Sequence, residues 1–434
     1  MFPEQTKSTR MQGKVRCARA MRAPLLLLTL VICAGIATGC GSSSPEAAAD
    51  RTLRIYVSEP VRGARGGEDT IRAVHIAVQQ AQDTIEGANL RVVARNDAAA
   101  SGQFDPALVA RNAHQAAADD TSIAYVGDFD SGATLIGMPI LNRAGILQVG
   151  SGATAVTLTR PPTTALRRAL VPTGVRTYGR VVPNDNIQSA ALGQFMQEES
   201  VTRAYVVDDL GTYGRGLAQG FRDIAPQDGI EIVGHQHVRA GTNLATLARD
   251  VEAKHAQAIL VAASDLVRAR AVMAAVHHED VHVKLFGGDS LTSTAFLRAL
   301  GDMGLDTYVT APILPPGNYA RSARGFVDAF RARYGRDPHP TAIFGYEAGR
   351  AVVASLRAAT GGTVHDQSIA TLRRGTRDAF FAIRERASAL GSYSIDRFGD
   401  TTLAFYGAYR VVDGELALGR TLSIPPSQQS GLDG

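Results

Sequence analysis

The amino-acid sequence predicts an α/β protein with two lobes, each built on a doubly wound parallel sheet. Short apolar runs rich in β-branched residues alternate with amphipathic stretches of helical length. The alternation forms two sets, which are separated by the Pro- and Gly-containing segment VPTGVRTYGRVVPND. Of the 434 residues, 45% are apolar and 20% are charged, so the chain is globular and long enough for two domains.

The first set contains four predicted strands and three predicted helices. We expect the strands at 53–59, 90–97, 123–130 and 146–152, and the helices near 70–85, 106–118 and 132–141. In the first helix, Ile71, Val74 and Val78 fall on one face, as a repeat of 3.6 residues requires.

The second set contains predicted strands at 203–209, 230–238, 258–264 and 283–288, separated by stretches of helical length. Continuous apolar strands in this arrangement are typical of parallel sheets covered on both faces. Such sheets bind ligands beyond the carboxyl ends of their strands. Candidate binding loops are therefore 130–134, 151–155, 212–216 and 287–290.

The net charge of +4 does not indicate a nucleic-acid partner. Residues 1–39 carry six Lys or Arg and one acid, which leaves 39 bases against 40 acids in the rest of the chain. The remainder is therefore close to neutral and creates no field that would attract polyanions.

The N-terminus is typical of an export signal. A basic stretch ends at Arg22, 15 mostly apolar residues follow at 23–37, and Thr38-Gly39-Cys40 precedes a Ser- and Ala-rich linker. This pattern resembles a bacterial lipobox, so we expect a signal peptide at 1–39, lipidation of Cys40, a linker to residue 50, and location at the outer face of the cell membrane or in the periplasm. Ordinary secretion is the alternative. Cysteines occur only at 17, 33 and 40, which excludes disulfides and thiol chemistry from the body of the chain.

From about residue 53 to 424 the chain resembles the leucine/isoleucine/valine-binding type of periplasmic binding protein, the solute receptors of amino-acid ABC transporters. Five segments in the same order carry the resemblance: VGDFDSGATLIGMPILNRAGILQVGSGATAVTLT, YVVDDLGTYGRGLAQGF, LFGGDSLTSTAFLRALGDMGLDTYVTAP, FVDAFRARYGRDPHPTAIFGYEAGRAV and GSYSIDRFGDTTLAFYGAYRVVDGEL. The resemblance implies the type I periplasmic-binding fold, with lobes joined by several crossing strands. It places lobe 1 at 51–173 and 307–377, lobe 2 at 174–306 and 378–424, and a tail at 425–434.

The resemblance also implies a site for a free amino acid. Ser131 and Thr154, with the backbone at Gly152 and Ala153, would hold the ligand carboxylate, which needs hydroxyls and N–H groups. Asp289 would hold the ammonium.

Tyr213 would close over the ligand from the second lobe. Each of these residues has an alternative role: Ser131 as a helix cap, Thr154 as a loop hydroxyl, Tyr213 as a packed aromatic and Asp289 as a solvated acid.

The side-chain pocket departs from the family pattern. Gly66 and Gly67 stand where an aromatic residue usually precedes the first helix, and Ser264 stands where another cleft aromatic is common. Arg62 and Arg65 could reach the mouth of the cleft. The identity of the ligand is therefore left open.

Catalysis and metal binding are not expected. The tetrapeptide at 288–291, Gly-Asp-Ser-Leu, names a family of serine esterases, but no Asp-x-x-His follows it to supply a base for Ser290. The adjacent His277 and His278 point about 100° apart on a helix, so they do not form a metal pair.

We therefore expect a monomeric, membrane-anchored solute-binding lipoprotein that passes an amino-acid-like ligand to an ABC permease, without a cofactor. The alternatives are a ligand-sensing lipoprotein with the same fold and a GDSL-type esterase that uses Ser290.

Overall fold

The computed structural model describes residues 51–425, except 63–65, 83–84, 280–281 and 365–366. The predicted signal peptide, Cys40, the linker and Arg65 lie outside the described residues. Within the described part of the chain, no helix combines the length and the hydropathy that crossing a membrane requires.

The first part of the chain alternates strands and helices as predicted. Its strands are β1 (Arg51–Glu59), β2 (Ala88–Asn96), β3 (Ser122–Gly127), β4 (Leu147–Gly150) and β5 (Tyr178–Arg180). Its helices are α1 (Gly67–Ala81), α2 (Pro106–Ala118), α3 (Ser131–Arg143) and α4 (Thr164–Leu170). The five strands form one parallel sheet in the order β2-β1-β3-β4-β5.

The middle of the chain repeats the pattern. Its helices are α5 (Asp185–Glu198), α6 (Thr212–Ile224), α7 (Leu244–Ala253), α8 (Leu266–His278) and α9 (Thr294–Ala299). Its strands are β6 (Arg203–Asp208), β7 (Glu231–His237), β8 (Ala258–Ala262), β9 (Lys284–Gly287) and β10 (Thr307–Ala311).

The last part of the chain contributes to both lobes. Helices α10 (Arg321–Tyr334), α11 (Ala342–Thr360) and α12 (Ile369–Phe381) and the hairpin of β11 (Arg386–Ser388) and β12 (Gly391–Tyr393) join the first lobe. Strands β13 (Phe405–Val412) and β14 (Glu415–Ser423) complete the second sheet, whose order is β14-β13-β10-β9-β8-β6-β7. Only β13 and β14 run antiparallel to their neighbours in this sheet. The prediction of two parallel-sheet lobes is confirmed.

Both faces of the first sheet are covered, which explains why its strands lack a simple alternation of polar and apolar residues. Ile55 packs with residues of α1 and α11 on one face, and Tyr56 packs with residues of α2 and α3 on the other. Strand β1 therefore has apolar side chains on both sides, as a central strand of a doubly wound sheet requires.

The three connections between the lobes lie at other positions than the sequence boundaries suggest. Strand β5 pairs with β4, so the first crossing follows Arg180 instead of residue 173. Strand β10 pairs with β9, so the return follows Ala311 instead of residue 306. Helix α12 packs on the first lobe, and the last crossing leads into β13 instead of beginning at residue 378. A hydrophobic run predicts a strand but does not identify the sheet that receives it, and this is why the boundaries shift.

A fully buried ion pair lies where these connections meet. The guanidinium of Arg180 donates to Asp400 Oδ1 at 2.7 Å, to the carbonyls of Ala153 and Ala155 at 2.9 and 3.0 Å, and to Thr159 Oγ1 at 2.8 Å. Burial lowers the pKa of Arg180, but the adjacent Asp400 outweighs it and raises the pKa above its ordinary value. The pair thus ties the loop after β4 to the segment that precedes β13.

We predict that Asp400→Ala lowers the free energy of unfolding by about 3–5 kcal/mol, because it leaves the buried guanidinium without its counter-charge. The exposed pair of Arg298 and Glu415 offers a matched control, since its side chains are 67% and 54% exposed. Glu415→Ala should cost less than about 1 kcal/mol. Urea denaturation measures both, and equal effects of the two substitutions would contradict the structural role of Asp400.

Candidate functional site

A pocket of about 300 Å³, including its mouth, lies between the lobes. The first lobe contributes the loops after β3 and β4 and the start of α11. The second lobe contributes the loop after β9. The remaining residues belong to the first and second of the three crossings. The lining residues are Phe129, Ser151, Gly152, Val182, Asp289, Thr292, Ala311, Pro312, Ile313, Thr341 and Phe344.

The structure brings the six predicted ligand residues to this region but gives them different positions. Gly152 and Asp289 line the pocket. The other four are buried beside it: Ser131, Ala153, Thr154 and Tyr213. The carbonyl of Ala153 is already occupied, because it accepts hydrogen bonds from Arg180 and from the Tyr178 hydroxyl.

Ser131 begins α3, and the N-terminus of this helix faces the loop after β4. Its Oγ accepts a hydrogen bond from the backbone N–H of Ala155 at 3.2 Å. The first helical hydrogen bond is from Thr134 N–H to the Asp130 carbonyl, so the N–H groups of residues 131–133 are outside the helical pattern. Such groups and the helix dipole favour an anion.

Thr154 links this loop to the first crossing. Its carbonyl accepts from the backbone N–H of Asp185 at 3.0 Å, and its hydroxyl lies close enough to the Asp185 carboxylate to favour the ionised form. Burial has the larger effect and, with the neighbouring Asp289, raises the pKa of Asp185 to about 8.

Two glycines allow aromatic side chains to approach the pocket. A Cβ at Gly152 would lie 2.6 Å from a ring carbon of Phe129, and a Cβ at Gly288 would lie 2.1 Å from the Tyr213 hydroxyl. Gly288 thus lets Tyr213 pack against the loop that carries Asp289. The GGDS stretch is explained by this close packing.

Asp289 presents a carboxylate to the pocket from the second lobe. The Tyr213 hydroxyl and the Gln188 amide lie near it and favour its ionised form, while its Oδ1 is buried without a partner among the described residues. Burial raises the pKa of Asp289 to about 6, although these neighbours oppose the shift. The Tyr213 hydroxyl donates to Gln188 Oε1 at 3.3 Å and thereby links α6 to α5.

A second acidic group lies behind the first-lobe wall. The hydroxyl of Ser151, which lines the pocket, donates to Glu59 Oε1 at 2.6 Å. Burial raises the pKa of Glu59 well above its usual range, and the carboxylates of Asp128 and Asp130 raise it further. Acidic groups therefore approach the pocket from both lobes, and the buried hinge cation Arg180 is already paired with Asp400.

The lobes also contact each other beside the pocket. Gln103 Nε2 from the first lobe donates to the Ser264 carbonyl of the second lobe at 3.4 Å. A Cβ at Gly132 would lie 3.8 Å from Thr212 Oγ1, so the starts of α3 and α6 are close neighbours. The described conformation is therefore a closed one.

Several pocket residues were absent from the sequence prediction. Phe129 and Phe344 give the pocket two aromatic rings in place of those missing at Gly66, Gly67 and Ser264. Phe129 directly precedes the candidate binding loop 130–134. Phe344 lies in α11, more than 200 residues further along the chain, so only the fold brings both rings to the same pocket.

Three residues that the sequence analysis discussed are exposed: Arg62, and His277 and His278 on α8.

Asp185 and Gln188 were not predicted, because they follow the first crossing in a segment without a recognisable motif.

Ser290 lacks the surroundings of a nucleophile. Its hydroxyl donates to the backbone carbonyl of Ala263 at 2.6 Å instead of to a base. It follows Asp289 in a single 3₁₀ turn and helps to hold the loop after β9 against the end of β8.

A family model described as "Periplasmic binding protein" matches residues 56–405. The chain belongs to the periplasmic binding protein family. Members of this family bind solutes and are not enzymes, which confirms that expectation for the present protein.

Solved structures agree with the fold of this periplasmic binding protein. The leucine-binding protein LivK of Thermotoga maritima matches with a TM-score of 0.72 and 18% identity over 86% of this chain and 99% of that chain. LivJ of Streptococcus pneumoniae, in complex with isoleucine, matches with a TM-score of 0.70 and 19% identity over 86% and 99%.

A solute-binding protein of Rhodopseudomonas palustris, in complex with benzoate, matches with a TM-score of 0.67 and 18% identity over 86% of this chain and 97% of that chain. None of the curated proteins matches the sequence.

We predict that Asp185→Asn stabilises this binding protein more at pH 8 than at pH 5. The folded pKa of about 8 exceeds the ordinary 3.8, so the wild type loses stability as pH rises between these values, by up to about 1.4 kcal/mol per unit. Asparagine cannot ionise and avoids this loss. Urea denaturation at both pH values, with the exposed Asp302→Asn as control, tests the prediction; a pH-independent gain would contradict it.

We predict that Ser290→Ala leaves ligand affinity within about twofold and that neither protein hydrolyses p-nitrophenyl esters, because the hydroxyl donates to a backbone carbonyl instead of to a base. Turnover by the wild type that disappears in the variant would overturn the assignment.

Proposed function

We propose that the protein is an extracytoplasmic, lipid-anchored solute-binding protein that captures a small amino-acid-like ligand between its lobes and delivers it to an ABC permease. The observation that carries this proposal is the buried, unpartnered Oδ1 of Asp289 in a pocket walled by both lobes. A carboxylate in this setting favours a ligand ammonium, because pairing replaces the water lost on burial.

The opposite wall suits the ligand carboxylate. The N-terminus of α3, with the Ser131 hydroxyl, and the loop with Gly152, Ala153 and Thr154 supply N–H and O–H groups. Binding there would require Ser131 and Thr154 to adjust, since both are buried. A zwitterion would then contact both lobes and stabilise the closed conformation, with Tyr213 packed behind Asp289.

The neighbouring structures bind two classes of ligand: leucine and isoleucine in some, and benzoate in another. Phe129 and Phe344 would suit either an aliphatic or an aromatic side chain. Asp289, which is ionised above a pKa of about 6, disfavours a ligand whose only charge is negative. The acidic lining therefore supports an amino acid over an aromatic carboxylate.

Lipid attachment at Cys40, monomeric state and partnership with a permease complete the proposal. The lipobox-like sequence supports lipid attachment, and the family supports partnership with a permease. A lipoprotein that reports its ligand to a sensor would have the same fold, so transport and sensing differ only in the partner.

Asp289→Asn should weaken binding of the amino acid at least thirtyfold, because a ligand ammonium left without its buried counter-charge typically costs about 2–5 kcal/mol. The ligand is first selected by thermal shift against the L-amino acids, and isothermal titration then compares wild type, Asp289→Asn and the exposed control Asp302→Asn. Benzoate and 4-methylpentanoate serve as carboxylates without an ammonium. Equal affinity of wild type and Asp289→Asn, or preference for these carboxylates, would refute an ammonium site.

The pH dependence provides a second readout of the same site. Because burial raises the pKa of Asp289 to about 6 and the ammonium binds its ionised form, affinity should fall as pH decreases below about 6. Asp289→Asn should remove this component of the dependence.

A further inference from the structure

A cluster of two histidines and an aspartate lies at the edge of the second sheet, outside the pocket. Strand β7 is the edge strand, and it pairs in parallel with β6 so that His237 lies opposite Asp208 and His235 lies opposite Val206. Residues two apart on a strand point to the same face. Asp208, His235 and His237 therefore share one face at the carboxyl end of the sheet.

The two imidazoles contact the same oxygen of the Asp208 carboxylate. His235 Nε2 and His237 Nδ1 lie 2.7 and 2.8 Å from the same carboxylate oxygen, Asp208 Oδ2. The other oxygen, Oδ1, accepts from the backbone N–H of Leu210 at 2.9 Å. This bond fixes the carboxylate, so that Oδ2 alone faces the imidazoles.

The arrangement combines a buried charge with accessible ligand atoms. The side chain of Asp208 is only 1% exposed, whereas those of His235 and His237 are 20% and 52% exposed. Among the described residues, the ion pairs of Asp208 involve only these two histidines. The carboxylate thus has no Lys or Arg partner in the described part of the chain.

We propose that Asp208, His235 and His237 bind a divalent transition metal ion of the Zn²⁺ class. The three ligand atoms lie within 4.8 Å of one another. Two imidazole nitrogens and one carboxylate oxygen are ligands typical of Zn²⁺, with water in the fourth position. Bonds of about 2.0–2.1 Å separate tetrahedral ligands by about 3.3 Å, so the hydrogen-bonded atoms must move apart by roughly half an ångström. The His237 side chain, which is 52% exposed, has room to move in this way.

The site adjoins the loop that leads to the ligand pocket. Asp208 is followed by Asp209, whose Oδ1 accepts from Gly211 N–H and whose Oδ2 accepts from the N–H groups of Ser264 and Asp265. Helix α6, with Tyr213 in its first turn, begins directly afterwards. A bound metal would hold the β6 end of this loop. The metal site does not depend on the proposed ligand or on transport.

The test is direct metal binding by the purified protein after removal of metals with EDTA. Isothermal titration with Zn²⁺ should give one site per chain, and Co²⁺ should give the visible absorption of a tetrahedral centre. His237→Ala and His235→Ala should each lower Zn²⁺ affinity at least tenfold, since loss of even an outer-shell partner has an effect of this size.

The double substitution His277→Ala and His278→Ala is the matched control, because these exposed histidines lie on α8 of the same lobe. It should leave the affinity unchanged. The melting temperatures of all variants in EDTA verify that they are folded. Failure of the wild type to bind Zn²⁺, Co²⁺ or Ni²⁺ would overturn the proposal, as would undiminished binding by folded His235→Ala and His237→Ala.

Discussion

The buried ion pair of Arg180 and Asp400 is the interaction on which the arrangement of the cleft depends. Arg180 ends the last strand of the first sheet, and Asp400 precedes the last crossing into the second. Burial of both charges is unfavourable unless their remaining hydrogen-bonding groups are satisfied. The guanidinium meets this condition by donating to Ala153, Ala155 and Thr159, and it thereby fixes the loop that carries Thr154. One cation positions a hinge segment and a wall of the pocket together.

Within the described part of the chain, the carboxylates of the cleft form no ion pair with a Lys or Arg side chain. Asp185 and Asp289 meet near the first crossing, and Glu59 lies behind Ser151 on the other wall; burial raises the pKa of all three. The raised pKa values mean that burial favours the protonated forms of these acids. A ligand that brings a positive group to Asp289 favours its ionised form, whereas a simple anion disfavours it. The same electrostatics therefore link closure of the lobes to the class of ligand.

The second sheet has two chemically different regions at its carboxyl end. Near its centre, the loop after β9 places Asp289 against Tyr213 and Gln188. At its edge, Asp208 faces His235 and His237, and the His237 imidazole is open to solvent. Helix α6 starts between the two regions, and Asp208 and Asp209 both hold the turn before it. The parallel strands of a sheet all end at the same side. A loop that follows a central strand can therefore line the pocket, whereas a loop near the edge of the sheet can form a separate site.

The sequence alone determined the two-lobed α/β class, because hydrophobic runs and helical periodicity depend on local order along the chain. It also predicted that loops after β3, β4 and β9 meet at a cleft, since parallel strands share a carboxyl edge. It could not assign β5 and β10 to their sheets, because pairing is a contact between distant segments. It gave no sign of Asp400 beside Arg180, of Phe344 in the same pocket as Phe129, or of Asp208 beside His235. The members of each pair are separated by 27 to 220 residues along the chain. Only tertiary packing decides which of these side chains share a buried, low-dielectric environment.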